Sequence, residues 1–182
     1  VVDEGYTNPC VMLLMGEDGD GRLHLLHERY KTKMQDTDKV AWANDFAANF
    51  KVDAFVIDPS AVRLIELIRK GGHHVVAADN AVFDGISRVQ SQLAVAGDGL
   101  PRFTVDPSCE NTIKEFETYE WKKDRKSDGM KDEPVKANDH AMDAIRYGVA
   151  YSASPSEVVV SVVGGGGNNG FESRFNDERL WK

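Results

Sequence analysis

An unbroken apolar run, Ala54-Phe55-Val56-Ile57, stops at Asp58-Pro59-Ser60. A run that short and continuous is the mark of a strand covered on both faces, as the strands of parallel sheets are. Pro59 suits the first turn of a helix. The segment Ala61 to Lys70 follows with Val62, Ile65, Leu67 and Ile68, and Gly71-Gly72 stops it. A further strand is expected at His74 to Ala78. Strand, helix, strand in this order predicts a sheet whose parallel members are joined by helical crossovers.

The first 30 residues read differently. Val1-Val2-Asp3 ends one strand, Cys10 to Met15 is a second, and Arg22 to Tyr30 alternates enough to be a third. The turn cluster Glu17-Asp18-Gly19-Asp20-Gly21 joins the last two into a hairpin. Asp18, Gly19 and Asp20 lack the flanking helices and the twelfth-position Glu of a calcium loop. Lys39 to Phe50 has the spacing of an amphipathic helix through Val40, Ala43, Ala47 and Phe50. Helices are also expected at Asp84 to Ala96 and Asn111 to Trp121, with a short strand at Phe103 to Val105. The expected fold class is therefore α/β, a mixed β-sheet with helices on both faces. Residues 122–137 read as a loop or exposed hairpin, and Gly164 to Gly170 as a flexible linker.

At 182 residues and 41% hydrophobic, the chain is long enough for one domain with a real core. No apolar run approaches the roughly 20 residues needed to cross a bilayer, so no membrane partner is expected. Cys10 and Cys109 form no CxxC pair and read as buried thiols rather than a zinc site. The chain opens without Met inside an expected strand, which suggests a longer protein around it. A net charge of −8 argues against a strong free-standing nucleic-acid binder, because phosphate attraction needs clustered Lys and Arg. It does not exclude a nuclease, since a carboxylate cluster raises the negative count and bound metal offsets it locally.

Three aspartates stand where such a cluster would need them. Asp3 and Asp58 both end strands, and ligands of these sheets sit at strand carboxyl ends. Asp143 lies in Asn138-Asp139-His140-Ala141-Met142-Asp143-Ala144-Ile145-Arg146-Tyr147, a helix that Asn138 is placed to cap. Asp139, His140 and Asp143 share a face at spacings of three and four. Each has an ordinary explanation alone. Asp-Pro-Ser is a common strand-to-helix turn, Asp-x-Gly turns abound, and an acid in the first helical turn suits the dipole. Together they offer the oxygen ligands that hard divalent cations prefer. His24, His27, His73 and His74 read as sheet or surface residues, and Asp79, Asp84 and Asp106 as turn or cap residues.

Three segments carry a family resemblance: Val2-Asp3-Glu4-Gly5-Tyr6-Thr7-Asn8-Pro9, Phe55-Val56-Ile57-Asp58-Pro59-Ser60-Ala61 and the helix at 138–147. In this order and spacing they resemble the C-terminal nuclease domain of the large terminase subunit of tailed bacteriophages. Asn80 through Ile86 and Tyr119-x-Trp121 add to the likeness. The resemblance implies an RNase H-like domain over residues 1–152, with 153–182 as a flexible tail. It implies cleavage of double-stranded viral DNA during genome packaging, by two Mg2+ or Mn2+ ions. Asp3, Asp58 and Asp143 would be the metal-binding carboxylates and His140 an assisting catalytic residue, while the part played by Asp139 stays open. The implied partners are double-stranded DNA, the terminase ATPase domain, the small terminase subunit and the portal protein. The implied place of action is the procapsid portal in the host bacterial cytoplasm. No GxxxxGK[ST] loop occurs in the chain. Within Trp121 to Lys136, six basic residues against four acids give +2, and Lys122, Lys123, Arg125 and Lys126 are candidates for DNA contact.

Competing readings remain. An actin-like ATPase needs a second lobe for which 182 residues leave no room. Another RNase H-like nuclease, such as a junction resolvase, fits the same chemistry. A packaging-motor docking module with merely structural acids would show no paired-ion binding.

Overall fold

A computed structural model describes residues 1–123 and 130–154 of the chain. The tail expected over 153–182 lies outside the described residues from position 155, as do Arg125 and Lys126.

The chain opens with the two-residue strand β1 (Val2–Asp3), then the hairpin β2 (Cys10–Glu17) and β3 (Leu23–Lys31). Helix α1 (Asp36–Asn49) leads to β4 (Phe55–Ile57), α2 (Val62–Lys70) and β5 (Val75–Ala77). Next come α3 (Val82–Leu93), β6 (Phe103–Val105) and α4 (Glu110–Thr118). The small ladder β7 (Trp121–Lys123) and β8 (Met130–Pro134) precedes the last described helix, α5 (His140–Ala153). Six strands form one mixed sheet in the order β5-β4-β1-β2-β3-β6. β1 runs antiparallel to β2 and parallel to β4, and β4 runs parallel to β5.

The period-2 alternation of β2 divides the core in two. Cys10 and Met12 face α1 and α2, packing with Ala43, Phe46, Leu64, Ile65 and Ile68. Val11 and Leu13 face the other way, onto Val89, Cys109, Met142, Ile145 and Val149 of the second helical layer. Burying each such aliphatic side chain is worth about 1.5–3 kcal/mol, so each layer is anchored by several independent contacts. The mixed sheet with helices on both faces is thus present as expected. Helix α5 lies close on β2: a Cβ at Gly148 would stand 2.4 Å from Sδ of Met15. A Cβ there would require the Met15 side chain to shift, and the approach brings the start of α5 over the carboxyl ends of β1 and β4.

Three expectations about boundaries need correction. The helix expected to reach Trp121 ends at Thr118, because Trp121 enters β7 and pairs with Pro134. The helix expected to reach Ala96 ends at Leu93, where the backbone turns extended and Val95 bridges Pro101. Asn138 does not cap α5: it takes a left-handed backbone with φ of 50°, and Asp139 occupies the cap position without a side-chain bond. The segment 122–137 does contain a hairpin ladder, β7 against β8.

Candidate active site

The parallel pairing of Val2 with Ile57 sets the two strand-end acids, Asp3 and Asp58, side by side. Asp58 turns the chain out of β4 by accepting the Ser60 amide on Oδ1 at 2.7 Å. Its Oδ2 accepts the Tyr147 hydroxyl at 2.8 Å. Asp3 Oδ2 stands 3.0 Å from Nδ1 of His140. Helix α5 therefore touches both strand ends through positions 140 and 147, and position 143 lies between them on the same face, at the spacing of three and four that a helix face requires.

Asp143 sits between those contacts. Arg146 donates to its Oδ1 from two nitrogens, at 2.6 and 3.2 Å, and a third nitrogen reaches the Ala81 carbonyl at 3.2 Å. Oδ2 of Asp143 is left to Lys136, whose Nζ is 3.6 Å away. Arg146 is 3% exposed and lies against Gly85, where a Cβ would meet its side chain at 3.1 Å. Lys136 also stands 3.3 Å from Oδ2 of Asp139, a carboxylate only 6% exposed. Among the described residues that oxygen has no hydrogen-bond donor.

The electrostatics follow from this crowding. Burial pushes the Asp3 carboxyl up, and the charges of Asp143 and Asp58 add to the rise, against the pull of His140. His140 is raised in turn, chiefly by its bond to Asp3 and against its own burial. Burial also works upward on Asp58, but the Ser60 and Tyr147 bonds and the Arg146 charge outweigh it and leave this acid below its ordinary value. Tyr147 is driven up by burial and by its bond to Asp58.

An open cleft of about 610 Å³ fronts these groups. Asp3, Glu4, Tyr6 and Asn8 line one side, and Lys136, Asp139, His140 and Asp143 the other. Asp3, Asp143 and His140 thus open on one cavity, and Asp58 adjoins it through β1. Of the basic candidates, Lys122 is bound to Glu133 at 2.6 Å and Lys123 ends β7 in an exposed position. The basic residue the cleft does gain is Lys136, from the same stretch.

Several working residues had gone unnoticed in the sequence. Arg146 and Tyr147 stand three and four positions after Asp143, a spacing that could have flagged them. Lys39 is buried under the cleft wall, 2.5 Å from Glu4 and 3.6 Å from Asp36. Glu115 is 3% exposed and accepts the Ala141 and Met142 amides at 2.7 and 3.3 Å.

As a site for hard cations the arrangement fits by donor type: three carboxylates, two of them on adjacent strands, with repulsion that a cation would relieve. Among the described residues no cluster of three or more His, Cys, Asp or Glu groups is already close enough to hold an ion. Tyr147, Arg146 and His140 instead hold the acids apart at separate hydrogen-bonded positions.

The fold has counterparts among known proteins. Residues 83–151, which take in α4 and most of α3 and of the Asp143 helix, match the model of the terminase RNase H-like domain. No curated protein matches the chain. Among solved structures, the large terminase of a thermophilic bacteriophage, in complex with ATP-gamma-S, is 29% identical with a TM-score of 0.69. That match covers 81% of this chain and 38% of that one, so the chain spans under two fifths of the full-length relative. The nuclease domain of the bacteriophage SPP1 large terminase, solved with bound Mn, is 19% identical with a TM-score of 0.66, covering 82% of this chain and 83% of that one. The nuclease domain of the P22 large terminase is 23% identical with a TM-score of 0.62, covering 81% of this chain and 76% of that one. Over residues 83–151 the chain is thus similar to the terminase RNase H-like domain, and its sheet shares the fold of the large terminase nuclease domains.

Proposed function

We propose that this domain is a divalent-metal-dependent endonuclease that cuts double-stranded viral DNA during genome packaging. The observation that carries the reading is the meeting of Asp3, Asp58 and α5. Two neighbouring parallel strand ends present carboxylates, and one helix face lays His140, Asp143 and Tyr147 across them. Asp3, Asp58 and Asp143 would hold two Mg2+ or Mn2+ ions. Such a pair, when bound, supplies Lewis-acid stabilisation of the attacking and leaving oxygens of the phosphodiester.

The protein's own groups have separate tasks. Tyr147 fixes the rotamer of Asp58, and Arg146 that of Asp143, so that each carboxylate keeps an orientation before any ion arrives. His140 is held by Asp3 through Nδ1, which leaves Nε2 to meet a water or a phosphate oxygen. Its raised pKa makes it more readily protonated near neutrality than a free imidazole. Lys136, beside Asp143 at the cleft, is placed to meet the phosphate backbone, with Lys122, Lys123, Arg125 and Lys126 further along the hairpin segment. The large terminase likeness supports an ATPase domain in the same protein; the small terminase subunit and the portal, at the procapsid in the host cytoplasm, are the further partners this reading proposes.

Plasmid nicking with Mg2+ or Mn2+, alongside calorimetric titration of the ions, tests the reading. Asp58→Ala should abolish cleavage and weaken ion binding. Wild-type cleavage by that variant, or a wild-type chain that takes up no divalent ion, would sink it.

A further inference from the structure

We infer that Glu115 is a positioning residue for the ion-binding turn of α5; this rests on the nuclease reading above. Neither α4 nor α5 carries a capping bond from its own N-cap side chain. Both receive a carboxylate from elsewhere instead. Glu28 of β3 accepts the Asn111 and Thr112 amides at 2.8 and 2.9 Å, and the Asn111 and Thr112 side chains at 2.8 Å each. Glu115 of α4 then accepts the Ala141 and Met142 amides with Oε2, while its Oε1 takes the Tyr30 hydroxyl at 2.7 Å. Two interior carboxylates therefore link β3 to α4 and α4 to α5 in series.

The location gives this link its consequence. The amides that Glu115 holds belong to the residues directly between His140 and Asp143. Open amides at a helix start are otherwise satisfied by a local Ser, Thr, Asp or Asn, or by water. Here the local cap is missing, and Asn138 just before it is held in a left-handed backbone. Among the described residues, no side chain of the loop from Pro134 to Asp139 accepts the Ala141 or Met142 amide. A buried carboxylate on a neighbouring helix does so, anchored by Tyr30 on the sheet. Outer carboxylates that orient ligand-bearing groups typically change metal affinity or activity 10- to 100-fold when removed.

The test compares Glu115→Ala, Glu115→Gln and Glu115→Asp in the full chain. Mn2+ affinity is measured by calorimetry, nicking rate on plasmid, and amide hydrogen exchange at Ala141 and Met142. Glu115→Ala should lose protection at both amides and lose about 10- to 100-fold in Mn2+ affinity or nicking. Gln keeps an acceptor for the Ala141 amide and offers its own amide to the Tyr30 oxygen, so it should restore most of the loss. Asp keeps the charge but is one methylene short, so it should not; it also decides the matter if Glu115→Ala fails to fold. Ile68→Val, in the opposite layer, serves as the control for simple loss of stability. Wild-type nicking and Mn2+ binding by Glu115→Asp, or losses no larger than those of an equally destabilised Ile68→Val, overturn the inference alone. A wild-type chain that neither binds Mn2+ nor nicks brings down the nuclease reading, and this inference with it.

Discussion

Crowded carboxylates repel, so removing one of them from a metal-free site ordinarily stabilises the protein. Arg146 reverses that sign at Asp143. The guanidinium is 3% exposed and places two nitrogens on Asp143 Oδ1, one at 2.6 Å. Breaking a buried pair from one side costs about 3–5 kcal/mol, because the remaining charge is left uncompensated. The Asp143 side chain keeps 16% exposure, which lets water offset part of this. The lower end, about 3 kcal/mol, is therefore expected for Arg146→Met. In a domain of this size about 1 kcal/mol moves Tm by 2–4 °C, so the metal-free variant should melt roughly 6–12 °C lower. Asp143→Asn should also destabilise, by stranding the arginine. The double variant should lose much less than the sum, with a coupling of about 2 kcal/mol. Urea denaturation at neutral pH in the presence of a chelator measures all four species. Saturating Mn2+ should then recover more stability in Arg146→Met than in the wild type, since the ion takes over the counter-charge. Additive losses, with coupling under about 0.5 kcal/mol, would refute the argument that Arg146 is the standing counter-ion of Asp143.

Tyr147→Phe removes one buried hydroxyl and the donor on Asp58; it should cost about 1 kcal/mol by denaturation and bring the Asp58 carboxyl back up in a carbon-detected titration. His140 has a raised folded pKa, so its pairing with Asp3 stabilises fully below the unfolded value of 6.5 and is lost as pH rises through the folded value. Metal-free stability should accordingly fall as pH climbs above that point, and His140→Ala should flatten the fall. Asp58 has the opposite sign: its contribution is present above 3.8 and vanishes as pH drops through its lowered folded value. Replacing Lys122, Lys123, Arg125 and Lys126 with Ala should weaken nicking and flatten its salt dependence while leaving Mn2+ affinity in calorimetry untouched.

What the sequence discloses, and what it hides, follows from the range of each interaction. The run ending at Asp58 and the period of α2 are local patterns, so strand, turn and helix could be read from a dozen residues. The two-sided burial of β2 shows as plain alternation of Cys10, Val11, Met12 and Leu13. Helix ends were misplaced where tertiary pairing overrode local preference, as when Trp121 joined Pro134 across a hairpin instead of extending α4. The acids were legible because strand ends and a first helical turn are recognisable places. Their supports were not. Glu115 sits in an amphipathic helix as one charge among several, and only the fold shows that it is buried beneath α5. Nothing in the local sequence marks Lys39 as buried, yet it is 2% exposed and paired with Glu4.

The pairing of distant segments at the site also sets when it can exist. Asp3 and His140 are 137 residues apart, and Asp58 and Tyr147 are 89 apart. β1 is two residues long and gains its second neighbour only when β4 has been made. A ribosome adding roughly 5–20 residues per second needs several seconds to travel from Asp58 to Tyr147. Until then the growing chain holds its acids on incomplete edges, with neither histidine nor tyrosine to orient them. On the nuclease reading proposed above, the capacity to cut would therefore arrive abruptly, with the docking of one late helix, and a nascent chain that lacks it would be harmless to the DNA around it.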